Sequence, residues 1–173
     1  MIPFDRTTIP LRQRDGVTCG PSAAIVGSAL LDPSYAARLD DVDWFSDEQV
    51  RLHRTVNRVW PRALGTTPQA MVRALSAHSP VRYRWRLCHG GHDPLSDVRE
   101  ALLLGYPVAM LVGRFIPRHW VLLVGFGGAT GFRCYEPSSG DLRWVGATAI
   151  RAARLTSVGF PRVFCFVLPY RPW

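Results

Sequence analysis

The chain has 173 residues, 47% hydrophobic and 20% charged, which is enough for one domain, 1–173, with a sizeable core. No stretch approaches the roughly 18 consecutive apolar residues of a membrane-spanning helix, and the start Met1-Ile2-Pro3-Phe4-Asp5-Arg6 lacks the basic-then-apolar layout of a secretory signal. The expectation is a cytoplasmic chain, or an exported effector without a standard signal, with no membrane span.

The formal charge of +8 comes with 21 arginines and no lysine. Those arginines stand singly, so the clustered stripe that neutralises phosphates is missing and a nucleic-acid partner is not expected. The densest set, Arg82, Arg84 and Arg86 alternating with Tyr83 and Trp85, reads as a strand face as readily as a base-stacking platform. Four cysteines at 19, 88, 134 and 165 show no short paired spacing, which fits free thiols rather than a disulfide framework or a four-thiolate zinc site.

Residues 1–18 read as an irregular lead-in, with Pro3 and Pro10 opposing regular structure and Thr7-Thr8-Ile9 as a short extended piece. A buried helix follows from Gly20 to about Leu31, opened by Pro21 in its first turn. Ser46 and Gln49 form a capping-box pattern for a second helix reaching Val59, ended by Trp60-Pro61. Thr67-Pro68 opens a third helix that stops at Ser79-Pro80, and alternation suggests a strand over 81–87. Pro94–Leu104 reads as an amphipathic helix with Gly105 just past its end. Beyond it, short apolar runs at 106–112, 119–126, 131–136, 141–145 and 163–168 read as strands, with hairpins through 127–131 and 137–140. Helices first and a mostly antiparallel sheet second make an α+β order.

The stretch Gln13-Arg14-Asp15-Gly16-Val17-Thr18-Cys19-Gly20-Pro21-Ser22 carries the chemistry. It puts Cys19 at a helix N-terminus, where aligned peptide dipoles and unpaired N–H groups favour thiolate over thiol. Gln13, one loop upstream, is a candidate to join the Cys19 N–H in holding an oxyanion. A thiolate nucleophile needs an imidazole, and the imidazole an orienting acceptor. His53 and His78 lie on helices, and His89 and His92 in a glycine-rich loop. His119 instead opens an apolar strand, and the next strand ends in Glu136, so adjacent antiparallel strands could join the two. Cys88-His89-Gly90-Gly91-His92 crowds three metal-ligand types into five residues with no fourth nearby, so no metal or cofactor is expected.

The order Gln, Cys, His, carboxylate on a helix-then-sheet chain resembles the papain-like cysteine peptidases. Within them it is most similar to the peptidases that process bacteriocin leaders after a double glycine, and their stand-alone relatives. The residues carrying the resemblance are Gln13, Asp15, Cys19-Gly20-Pro21, His119-Trp120-Val121 and Tyr135-Glu136-Pro137-Ser138-Ser139-Gly140. It implies a papain-like fold in which Cys19 is nucleophile, His119 base, Gln13 oxyanion donor and Glu136 orienter, where those peptidases usually carry Asp before Pro. The expected activity is hydrolysis of a peptide, isopeptide or amide bond in a peptide or protein substrate. Acyl transfer to an amine and glutamine deamidation use the same Cys-His chemistry, and a binding module on a degenerate peptidase fold is the non-enzymatic alternative.

Overall fold

The computed structural model describes residues 11–56, 65–127 and 131–170. The sequence elements at 7–9 and 57–61 lie outside them. Helices α1 (Cys19–Leu31), α2 (Pro33–Ala36), α3 (Val42–Val56) and α4 (Pro68–Ala77) precede β1 (Arg82–Leu87) and α5 (Ser96–Leu103). Then come β2 (Val108–Gly113), β3 (Pro117–Phe126), β4 (Gly131–Glu136), β5 (Asp141–Gly146), α6 (Ala147–Arg151) and β6 (Arg162–Tyr170). The six strands form one antiparallel sheet in the order β1-β6-β2-β3-β4-β5. The α+β class follows, with the sheet fully antiparallel. No helix among the described residues is long and apolar enough to cross a membrane.

Strand side chains alternate between faces, so the sheet needs a cover on both sides. On one face Ala109, Leu111, Trp120, Leu122, Tyr135 and Val167 meet α1, α3 and α4. On the other, Met110, Val112, Val121, Leu123, Phe132 and Phe166 meet α5 and α6. Helix α1 is buried continuously from Cys19 to Ala29. Its run of Gly, Ser and Ala lets the backbone approach the sheet closely, and fully buried Ile25 and Val26 each contribute about 1.5–3 kcal/mol.

Local chemistry sets most boundaries. Thr67 Oγ1 accepts the Ala70 N–H and Pro68 fills the first turn, so α4 begins where its sequence signals stand. Helix α3 starts four residues before the Ser46 signal, because Asp41 Oδ1 takes the Trp44 N–H and caps it first. Gln49, freed from capping, is buried and grips the lead-in: its Oε1 accepts the Arg14 N–H at 2.8 Å and its Nε2 donates to Arg12 O at 3.2 Å. Short helices α2 and α6 carry too few residues for a periodic signal. From the alternating arginine face of β1, Arg86 bridges Asp93 and Asp97 on the approach to α5, while Arg84 lies over the Tyr170 ring. Both contacts give those arginines structural partners.

The β2–β3 hairpin delivers β3 to the site, and Gly113 makes its tight entry possible. A Cβ there would sit 2.0 Å from the Ile116 carbonyl oxygen, which is backbone and cannot rotate away. Gly113→Ala is therefore expected to lower unfolding free energy by about 1–3 kcal/mol. Urea denaturation followed by far-UV circular dichroism measures this; an unchanged midpoint would contradict the close approach.

Candidate active site

Cys19 is the first residue of α1 and only 4% exposed, yet it lines two cavities. The larger, about 450 Å³, is walled by Thr66, Thr67, Pro68, Leu111, Ile116 and Trp120. The smaller, about 290 Å³, is walled by Gly16 and Val17. Both share Cys19, Gly65, Ile116, Pro117 and Arg118, so the sulfur sits where two recesses meet. The Thr18 side chain does not cap the α1 N-terminus, which leaves its first-turn field directed at the sulfur and at whatever lies beside it.

His119 and Glu136 are 6% and 3% exposed and joined by a 2.7 Å contact between Nε2 and Oε1. Cys19 is the imidazole's other hydrogen-bond partner, and with Nε2 committed to Glu136 the nitrogen left for sulfur is Nδ1. The ring stacks on Phe160 at 5.6 Å between centroids, which fixes its plane. Burial alone would lower the His119 pKa. The hydrogen bonds to Cys19 and Glu136, with the charges of both, outweigh it and raise the value from 6.5 to about 9. Burial likewise opposes ionisation of Glu136, but the imidazole and the Ser138 and Ser139 N–H groups bring it from 4.5 to about 2.

The strand register explains why the carboxylate is a glutamate. Leu122 pairs with Tyr135 and Leu123 with Cys134, which sets Glu136 across from Val121, two residues along β3 from His119. The contact is diagonal, a separation of about 7–8 Å between backbones, and the extra methylene of Glu spans it. Both carboxylate oxygens are then pinned by amides of the turn that follows, each at 3.0 Å.

Gln13 belongs to a segment strapped from two sides. Its N–H donates to Pro137 O at 2.8 Å, in the turn that holds Glu136, while Gln49 grips its neighbours on the opposite side. Its Nε2 donates to Asp15 O at 2.7 Å, and Ser138 Oγ approaches its Oε1 at 3.4 Å. Gln13 lines neither cavity, so the structure unites Cys19, His119 and Glu136 directly and brings Gln13 only to the shared turn. Asp15 orders the loop between them by accepting the Val17 N–H and pairing with Thr18.

The remaining cysteines line neither cavity. Burial pushes the Cys88 thiol up and the Cys165 thiol up to about 12, and Cys134 is wholly enclosed and also shifted upward. Cys88-His89-Gly90-Gly91-His92 forms a 3-10 turn at Gly90–His92, with His89 turned toward Asp93 at 3.7 Å. Among the described residues no group of three or more His, Cys, Asp and Glu side chains is arranged to hold a metal ion. A broader, open depression of about 680 Å³ between Arg14 and α3 lies apart from Cys19, and Arg14 and Arg51 beside it are paired with Asp47 and Glu48.

No family model matches this chain, and a search of curated proteins returns no significant match.

Sequence reasoning missed four contributing residues. Gln49 carried the signature of a cap, which hid its grip on the lead-in. Thr66 is buried with no partner for Oγ1 among the described residues, packed where a Cβ on Gly20 would fall 2.3 Å away, and only the fold brings that loop onto α1. Ser138 and Ser139 follow Glu136 closely enough that a carboxylate–amide turn was readable from Glu-Pro-Ser-Ser.

Glu136→Asp withdraws the carboxylate by about 1.5 Å, one carbon–carbon bond, and breaks the diagonal reach. The His119 pKa, followed by imidazole NMR, is expected near 9 in the parent protein and lower in this variant. A titration unchanged by the substitution would contradict the assigned contact.

Proposed function

We propose that this chain is a papain-like cysteine hydrolase acting on a peptide, isopeptide or amide bond. The observation that supports it most is His119 held between Glu136 and Cys19, the residue that lines both cavities, the arrangement that thiolate chemistry requires. The lack of a matching family leaves the reading to rest on geometry and charge.

In this reading the Cys19 thiolate attacks the substrate carbonyl carbon, and the developing oxyanion is met by the Cys19 N–H at the positive end of α1. Gln13, held to Pro137 O and Asp15 O, steadies the loop that leads to this N–H. His119, protonated over the neutral range, hands its Nδ1 proton to the leaving nitrogen as the carbon–nitrogen bond breaks, giving an acyl-thioester on Cys19. The now neutral ring takes a proton from water, the resulting hydroxide attacks the thioester, and the thiolate leaves to restore the pair. Glu136 stays ionised throughout because its turn amides and the imidazole hold its pKa near 2. Its role is to keep the ring oriented with Nε2–H bonded.

Two measurements test the reading. Cys19→Ala removes the sulfur while leaving the helix start and packing in place, so thermal stability should hold while hydrolysis of a fluorogenic peptide library falls by at least about a thousandfold. Activity equal to the parent would reject the nucleophile. In the parent, kcat/KM should fall as pH rises through about 9, where His119 loses the proton it must donate. The same pair gives a stability signature. Its His119 part is fully present below pH 6.5 and lost through about 9, and its Glu136 part is fully present above 4.5 and lost as pH falls through about 2. Denaturation midpoints that ignore both windows would contradict the ion pair.

A further inference from the structure

Arg118 stands immediately before His119 and lines both cavities that meet at Cys19. It is the extra residue of a bulge, with Val112 paired to His119 and Gly113 to Pro117, and it borders the larger cavity together with Trp120. It is exposed, and among the described residues it makes no ion pair, hydrogen bond or ring contact. Other arginines around the fold are spoken for: Arg12 binds Ser139 O, Arg14 pairs with Asp47, Arg51 with Glu48, Arg86 with Asp93 and Asp97, and Arg143 binds Ser157 O. Among the described residues, no carboxylate lines either cavity. Among the described residues that line the recesses, Arg118 is the one cation, a guanidinium with its donors unclaimed beside the Cys19 sulfur.

We infer that Arg118 is a specificity residue that selects substrates bearing a carboxylate beside the bond under attack, such as a peptide with Asp or Glu within about two residues of the scissile carbonyl. The substrate class rests on the hydrolase reading; the anion-selecting environment of Cys19 does not. Extended peptide advances about 3.3 Å per residue, so a guanidinium at the junction of both recesses reaches only the nearest side chains on either side. A planar fork of five donors suits a carboxylate, and among the described residues no carboxylate in the walls competes for it. Across the whole chain the formal charge of +8 adds attraction for an acidic substrate at longer range.

The test uses two alkylating agents of similar size on the full chain, the anion iodoacetate and the neutral iodoacetamide. In each, the Cys19 sulfur forms a bond to the methylene carbon as the carbon–iodine bond breaks and iodide leaves. Rates at Cys19 are read by peptide-resolved mass spectrometry, which separates Cys88. Arg118→Gln is expected to lower the ratio of iodoacetate to iodoacetamide rates roughly tenfold while changing the iodoacetamide rate less than about twofold, whereas Arg114→Gln, at a cation outside both cavities, leaves the ratio unchanged. An equal ratio in parent and Arg118→Gln would overturn the inference, and so would an equal fall in Arg114→Gln. In cleavage of matched peptides carrying Glu or Gln beside the scissile bond, Arg118→Gln should erase the parent's preference for Glu, and Arg118→Glu should shift it toward Lys. Retention of the Glu preference by Arg118→Gln would overturn the inference as well. If the parent cleaves no peptide while the alkylation ratio falls as expected, the hydrolase reading fails and the anion-selecting role of Arg118 stands.

Discussion

The site depends on one buried contact, the 2.7 Å hydrogen bond between His119 Nε2 and Glu136 Oε1. Two ionisable groups taken out of water are costly unless their remaining hydrogen-bonding positions are filled. Here they are: the carboxylate takes two amides from the turn that follows β4, and the ring has Cys19 on its other side and Phe160 against its plane. Removing either partner would leave a buried charge exposed to nothing, so the two strands, the turn and the start of α1 are bound into a single electrostatic unit. The raised imidazole pKa and the lowered carboxylate pKa are consequences of that unit.

Backbone geometry sets where this unit can form. Gly113 lets the β2–β3 hairpin fold tightly enough to start β3 at Pro117, and the antiparallel register then carries Glu136 to a diagonal position that a Glu can bridge. Gly20 lets Thr66 settle against α1, and the Trp120 indole fastens that loop by donating to Thr66 O at 2.8 Å. The larger cavity beside Cys19 is built from these same residues, so the features that hold the sheet to α1 also shape the recess. Around it, the lead-in over residues 11–14 runs between Gln49 of α3 and the Pro137–Ser139 turn, with the Tyr135 hydroxyl donating to Leu11 O. One turn thereby orients both the carboxylate and the strand of chain that carries Gln13.

Charge is distributed with the same economy. Most of the arginines with defined partners serve structure: Arg86 ties β1 to the approach of α5, Arg84 and Arg99 lie over aromatic rings, and Arg151 bonds the carbonyls of Asp93 and Pro94. A basic composition read on its own invites a polyanion as partner. Distributed this way, it leaves an unclaimed guanidinium beside the candidate nucleophile, which is a local feature with local chemical consequences.

Much of this was legible before any coordinates. The helix at Cys19 follows from Pro21 and a run of small apolar residues, α4 from Thr67-Pro68, and β4 from an apolar stretch bounded by glycine and proline, because each depends on neighbours within a few residues. Cys19, His119 and Glu136 could be picked out for the same reason, since each stands at an element boundary that local chemistry marks. What the sequence could not supply was anything resting on register or on contacts between distant segments. The capping role assigned to Ser46 failed because Asp41, equally suitable, stood earlier in the chain and terminated the helix first. The diagonal offset that makes Glu136 fit, the closing of Thr66 on Gly20, the strap from Gln49 and the placing of Arg118 between two cavities were decided by tertiary structure alone. Local rules fix which residues end an element, whereas the distance between two such ends is set by how whole strands and helices pack, and that is a property of the assembled chain.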